Sequence, residues 1–315
     1  MATEIKSGKN TVTFKSFGVN LVGDLYLPED FNPNRKYKAI VSASPFPQVK
    51  EQVMATYGPE MATRGFVFLG FDYMGMGDSP ALPGQYMKSR YQFRLMENTW
   101  DAVSYLGTLP FVEEIYGMGV CQGGATIASV AITDHRIKKI ATISGMMASD
   151  WMQWGNRDAA SQMIAAANAS KQKIYETGEP DYISTYGLTD DMSKEELIEI
   201  SPFPEKEAAN SYDYYGRDGV KGPGTVKNFS NMHIADQPMQ SLFCLAEHYG
   251  DKIVQPTLVI YGTNALTAPC STGFIEKLTN NPEVLALDEF EHIHFYYKPD
   301  AVKISADAAA EFFNK

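Results

Sequence analysis

A chain of 315 residues, 44% of them hydrophobic and 21% charged, is long enough for one large domain with an insertion or for two domains. Its 38 acidic and 27 basic residues give a formal charge of -11 with no basic block, which argues against nucleic acid or an anionic membrane surface as partner. No apolar run approaches bilayer-spanning length, the first ten residues hold no apolar signal core, and the three cysteines lack C-x-x-C spacing, so a reducing cytoplasm is the expected compartment.

In chain order, alternation and apolar runs predict strands at residues 11–15, 19–27 and 37–44, then a helix over 52–64 capped by Gly65 and a buried strand over 66–73. A helix follows at 91–109, with Leu95, Trp100, Val103 and Leu106 on one face and Glu97, Asn98 and Asp101 toward another. Strands at 115–120 and 137–144 flank a small-residue helix at 125–132. The alternation stops near Met146 and resumes near Gln255. Roughly a hundred intervening residues are too many for a structureless loop, so the stretch reads as an inserted helical cap without strands. Strand 256–262, helix 271–278, strand 284–288 and helix 300–313 complete the chain. The pattern is that of an α/β fold with a mostly parallel central sheet flanked by helices, its core formed by residues 1–146 and 252–315 and its cap by 147–251.

The most informative run is Gly119-Val-Cys-Gln-Gly123, where an apolar strand meets a helix. A nucleophile at the centre of G-x-C-x-G sits on a sharp strand-to-helix turn, its flanking glycines admitting close backbone and its helix N-terminus supplying free N–H groups. Cys121 is therefore the candidate nucleophile, expected as a thiolate held beside an imidazolium. Cys244, in an apolar run, and Cys270, beside Pro269, read as packing residues. Of the five histidines, His292 and His294 follow the last strand; His292, directly after a turn, is the better placed to swing over the elbow, and His294 precedes the aromatic run 295–297. An H-x-H pair without a third ligand at suitable spacing gives no zinc site, so no metal is expected. The oxyanion that forms on acyl attack needs backbone donors: Gln122, directly after the nucleophile, and one from the loop after strand 37–44, where Pro45 and Pro47 cannot donate and Phe46 or Gln48 can, Phe46 being preferred. Tyr73, at a strand end, and Trp151, Trp154 and Tyr215, in the cap, are candidates for an apolar substrate pocket.

These pieces together resemble the α/β-hydrolase superfamily over essentially the whole chain, nearest to its dienelactone-hydrolase-like and peptidase S15-like branch, whose members often carry G-x-C-x-G-G at the elbow. The residues that carry the likeness are 45–52, 65–73, Gly75-Met-Gly-Asp-Ser79, the elbow, 133–138, Ile143-Ser-Gly145 and 292–299. The resemblance implies a cofactor-free Cys-His hydrolase of an ester, thioester or lactone, with chain order nucleophile, acid, histidine. It departs at the acid: where relatives place a carboxylate after strand 256–262, this chain has Asn264 and Leu266. Either Asn264 orients the imidazole, or Asp150 reaches in from the preceding strand. Glu51 lies close in sequence to the oxyanion loop, where relatives suggest a carboxylate near the thiol, and Met74 stands where they often have arginine. The expected partner is a small acyl substrate with an apolar portion, and a homo-oligomer is compatible with the sequence. Non-hydrolytic acyl transfer, cyclisation or carbon-carbon cleavage on the same frame, and a binding protein that has lost turnover, are the alternatives.

Overall fold

The computed structural model describes residues 5–147, 157–201, 203–216, 221–241 and 246–315. Ten strands are found there: β1 (Gly8–Ser16), β2 (Val19–Leu27), β3 (Tyr37–Ala43), β4 (Val67–Phe71), β5 (Val112–Val120), β6 (Ile137–Ile143), β7 (Tyr182–Ser184), β8 (Met232–Ile234), β9 (Thr257–Gly262) and β10 (Glu283–Leu287). Eight of them form one sheet in the order β1-β2-β4-β3-β5-β6-β9-β10. β1 pairs antiparallel with β2 and β2 with β4, and every other pairing in the sheet is parallel. The β1–β2 turn at Phe17 and Gly18 has φ of 48° and 82°, the consecutive positive values that let a tight hairpin follow the strand twist.

The helices are α1 (Val53–Thr63), α2 (Gln92–Thr108), α3 (Gln122–Thr133), α4 (Arg157–Thr177), α5 (Lys194–Ile200), α6 (Glu205–Tyr215), α7 (Pro238–Ser241), α8 (Ala268–Lys277), α9 (His294–Tyr297) and α10 (Pro299–Asn314). One face of the sheet packs on α2, α3 and α8 through residues such as Leu95, Val103, Ile127 and Phe274. The opposite face packs on α1 and α10 through Met54, Tyr57, Val302 and Phe313. Strands buried on both faces explain the unbroken apolar runs of β3 and β4. On α2 the sequence reading placed Asn98 away from the core, whereas it is fully buried, accepting from the Met74 amide and donating to Ser16 Oγ.

Among the described residues between β6 and β9 are the helices α4 to α7, with Ser193 closing a reciprocal capping box on α5. It is not free of strands, however: β7 and β8 pair antiparallel into a small second sheet. Three-residue strands are too short to show an alternating pattern, which is why the sequence reading missed them. From β3 the chain passes to β4 on one side and then to β5 on the other, so the loops leaving β3 and β5 diverge and open a crevice at the carboxyl edge of the sheet.

Candidate active site

Cys121 sits at that crevice. It joins β5 directly to α3 with φ 56° and ψ -125°, a backbone state that L residues adopt only under surrounding constraint. Its amide donates to Ile143 O at 3.1 Å and its carbonyl accepts from Gly124 and Met146, tying the turn to β6 and α3. The flanking glycines are sterically required. A Cβ on Gly119 would lie 2.1 Å from Gly123 O, and one on Gly123 would lie 1.9 Å from Ala43 O.

The sulfur is 3% exposed and meets the amide N–H groups of Gln122 and Phe46 and the hydroxyl of Tyr296. The Gln48 amide is already committed to Pro45 O at 2.9 Å, so in the loop after β3 it is the Phe46 amide that faces the thiol. Beneath this loop the buried Arg90 guanidinium donates to Pro45 O and, at 3.3 Å, to Ser44 O, and stacks 4.7 Å over the Tyr73 ring. Arg90 thus braces the loop that carries Phe46 and places a positive charge near the thiol. Nothing in its local sequence signals that role, because it comes from the loop before α2 and not from position 74. Tyr73, expected in a substrate pocket, is instead packed under Arg90 and against Phe71 with 1% exposure. Glu51 is also elsewhere: with Asp72 and Asp78 it surrounds the buried Lys50 ammonium. That ammonium occupies the centre of the only carboxylate group with metal-binding spacing among the described residues.

His292 is the histidine that reaches the elbow. Its Nε2 lies 2.9 Å from the Tyr296 hydroxyl, which in turn meets Cys121, so the tyrosine bridges imidazole and sulfur. On the other side, Nδ1 is 2.9 Å from Ser144 Oγ and 2.8 Å from Thr267 Oγ1. Thr267 donates its own proton to Ser144 O at 3.3 Å, which leaves its oxygen free to accept from Nδ1–H. His294 is tied down differently, accepting from the Glu291 amide and contacting Asn210 Oδ1.

Two expectations about this pair are corrected. Asn264 does not orient the ring: it is exposed and donates to Asp288 O at 2.5 Å, because the turn after β9 carries Thr267, not Asn264, back over the sheet edge. Asp150, the other orienter considered, lies outside the described residues. Nor is the pair ionised at rest. Burial pushes the Cys121 thiol up, against the pull of the Tyr296 hydroxyl, the Gln122 and Phe46 amides and Arg90. Burial also lowers His292 to about 4. Thiol and imidazole are both neutral near pH 7.

Described residues between β6 and β9 also contact these groups. Tyr215, on α6, is buried and its hydroxyl accepts from Gln48 Nε2 at 3.1 Å; its ring stacks with Phe229. The His233 ring, on β8, packs edge-on to Phe46 at 5.2 Å, with Nδ1 2.8 Å from Thr185 Oγ1. Trp151, Trp154 and Cys244 lie outside the described residues. A cavity of about 440 Å³ within the insertion is lined by Leu188, Val226, Phe229, Asn231 and Met232 among others. No helix among the described residues is long and apolar enough to cross a membrane.

The sequence profile of the alpha/beta hydrolase fold family matches residues 46–299, from the oxyanion loop through the histidine segment. The chain is 26% identical over 314 residues to YcjY of Escherichia coli K12, covering 94% of each. It is 30% identical over 154 residues to the thiohydrolase aneE of Aspergillus aculeatus, covering 48% of this chain and 46% of that one. The crystal structure of hypothetical protein PA2218 from Pseudomonas aeruginosa superposes with a TM-score of 0.79 at 23% identity, covering 100% of this chain and 95% of that one.

Proposed function

We propose that this chain, which belongs to the alpha/beta hydrolase fold family, cleaves an ester, thioester or lactone through a thioester acyl-enzyme on Cys121. The observation that carries the reading is the convergence on one sulfur of the Phe46 and Gln122 amides and the Tyr296 hydroxyl, itself 2.9 Å from His292 Nε2. Kinship with a protein named a thiohydrolase supports the thioester among these substrates.

The chemistry follows from the neutral resting pair. With Nδ1–H held by the Ser144 and Thr267 oxygens, Nε2 has a lone pair facing the Tyr296 hydroxyl. As Sγ bonds to the acyl carbon, the thiol proton passes to Tyr296 O while the tyrosine proton passes to Nε2. The carbonyl π electrons move onto oxygen, where the Phe46 and Gln122 amides receive the charge. Collapse of this adduct breaks the bond to the leaving group, which departs with the proton from Nε2 as an alcohol or thiol. Water then adds to the thioester with Nε2 as base, and the carboxylic acid and the Cys121 thiol are regenerated. Arg90 steadies the oxyanion loop throughout, and the described residues between β6 and β9 that reach it, such as Tyr215 and His233, help cover the bound acyl group.

The experiment is turnover and intact-protein mass with activated esters, thioesters and lactones, for the wild type and for Cys121→Ala. The reading expects wild-type turnover, an acyl adduct on the wild type alone, and an inert variant. Undiminished turnover by Cys121→Ala removes the nucleophile. The burial of both Cys121 and His292, at 3% and 5% exposure, favours one second reading, acyl transfer to an acceptor other than water. Product analysis with and without added alcohols and thiols separates the two.

A further inference from the structure

The chain around β8 lies against residues 88–90, which lead into α2. The Ile234 amide donates to Lys88 O at 3.0 Å, and three residues on the Gln237 side chain takes over the pairing. Its Oε1 accepts the Arg90 amide at 2.8 Å and its Nε2 donates to Arg90 O at 2.5 Å. The carboxamide does what a neighbouring strand would do, meeting both polar backbone groups of one residue. The partners also settle which end of it is oxygen, since an N–H needs an acceptor and a carbonyl a donor. Gln237 is 3% exposed and Arg90 2%, so the pairing is shielded from water.

The other end of Arg90 is what makes this pairing matter. Its guanidinium donates to Pro45 O and Ser44 O. Pro45 O and the Phe46 N–H belong to one peptide unit, which is planar and trans, so they point in opposite directions. A donor that grips the oxygen therefore aims the N–H the other way. Because that donor is charged, it also draws electron density from the peptide and makes the N–H a stronger donor. The Phe46 ring is held from the same two sides, with Arg90 Cζ 5.8 Å and the His233 ring 5.2 Å from its centroid.

We infer that Gln237 is a positioning residue for the acyl chemistry: it fixes the Arg90 backbone, and Arg90 in turn aims and polarises the Phe46 N–H where the oxyanion forms. This inference rests on Phe46 as an oxyanion donor in the proposed function.

The test compares Gln237→Leu, which keeps the bulk and removes both bonds, with Gln237→Glu, which keeps the acceptor for the Arg90 N–H and sets a second oxygen against Arg90 O. Removing an oxyanion donor outright costs about 100-fold or more in kcat, so loosening one should cost less. On an activated acyl ester kcat should fall about 30-fold for leucine and about 10-fold for glutamate, with KM within about 3-fold of wild type. Arg90→Lys should be about 30-fold slow by itself, and adding Gln237→Leu to it should cost no more than about 3-fold further, because the effect of Gln237 passes through the guanidinium. Hydrogen exchange should speed up with leucine at the Arg90 amide and also at the Gln48 amide, whose acceptor Pro45 O is the one Arg90 grips. Exchange is read without substrate, so a wild type inert toward acyl substrates would sink the proposed function while exchange still decides whether Gln237 braces the loop. Unchanged Gln48 exchange in the leucine variant overturns the inference. So does wild-type kcat in either folded variant, or a double variant slowed by the product of the two single effects.

Discussion

Removing the hydroxyls behind the imidazole, singly and together, tests the unusual support of His292. Nδ1 lies 2.9 Å from Ser144 Oγ and 2.8 Å from Thr267 Oγ1, and the ring is only 5% exposed. In Thr267→Val or Ser144→Ala the remaining hydroxyl still accepts from Nδ1–H, so each single change should cost roughly 0.5 kcal/mol, about 2-fold in kcat/KM. The double variant leaves a buried donor with no acceptor and no water to replace it. That penalty, together with loss of the tautomer that keeps Nε2 unprotonated, comes to about 3 kcal/mol, or a fall of about 100-fold. The expected coupling between the two sites is therefore about 2 kcal/mol, within the range seen for residues sharing one network. The assay is kcat/KM on an activated thioester for all four proteins, with thermal unfolding to confirm that each is folded. A double variant near the product of the singles, or near wild type, would refute the claim that these hydroxyls do the work a carboxylate does elsewhere.

Asn264→Ala should leave kcat/KM within about 2-fold, since its side chain reaches Asp288 O and not the imidazole; a fall of about 10-fold in folded protein would restore it as the orienter. Tyr296→Phe removes the hydroxyl between sulfur and imidazole and should lower kcat by about 100-fold, as loss of a proton-transfer group does; undiminished turnover would mean that His292 reaches the thiol directly. The base works only when neutral, and burial lowers His292 to about 4, so the acid limb of kcat/KM should fall near pH 4; a limb at the ordinary histidine value of about 6.5 would contradict this. Because burial raises the Cys121 thiol, its alkylation by iodoacetamide in the absence of substrate should be slow at pH 6 and rise only above the ordinary thiol range, and rapid labelling at pH 6 would show a thiolate at rest.

Much of this architecture is written locally in the chain. The elbow is legible because its constraints fall on neighbours: an apolar strand, two glycines with no room for a Cβ and a small-residue helix. That the Gln122 amide meets the Cys121 thiol is legible for the same reason, since it follows Cys121 directly, and the Phe46 amide because the prolines beside it cannot donate. The groups that were missed act across long separations. Ser144, just past β6, and Thr267, at the N-cap of α8 beyond β9, are ordinary hydroxyls, brought to one nitrogen by the parallel pairing of β6 with β9 and the turn after β9. Tyr296 follows His292 at helical spacing, but the bridge shows only once the helix start at Ile293 is placed. The charge state was misjudged because motif chemistry assumes a wetted site, and burial, a property of the assembled fold, reverses it.

The insertion is moored to the core at a second place, where Asn228 Nδ2 donates to Glu51 Oε1 at 3.1 Å and to Asp78 Oδ1 at 2.8 Å around the Lys50 ammonium. The carboxylates at Asn228 are 26% and 46% exposed, within reach of dissolved ions, so rising ionic strength should loosen this contact.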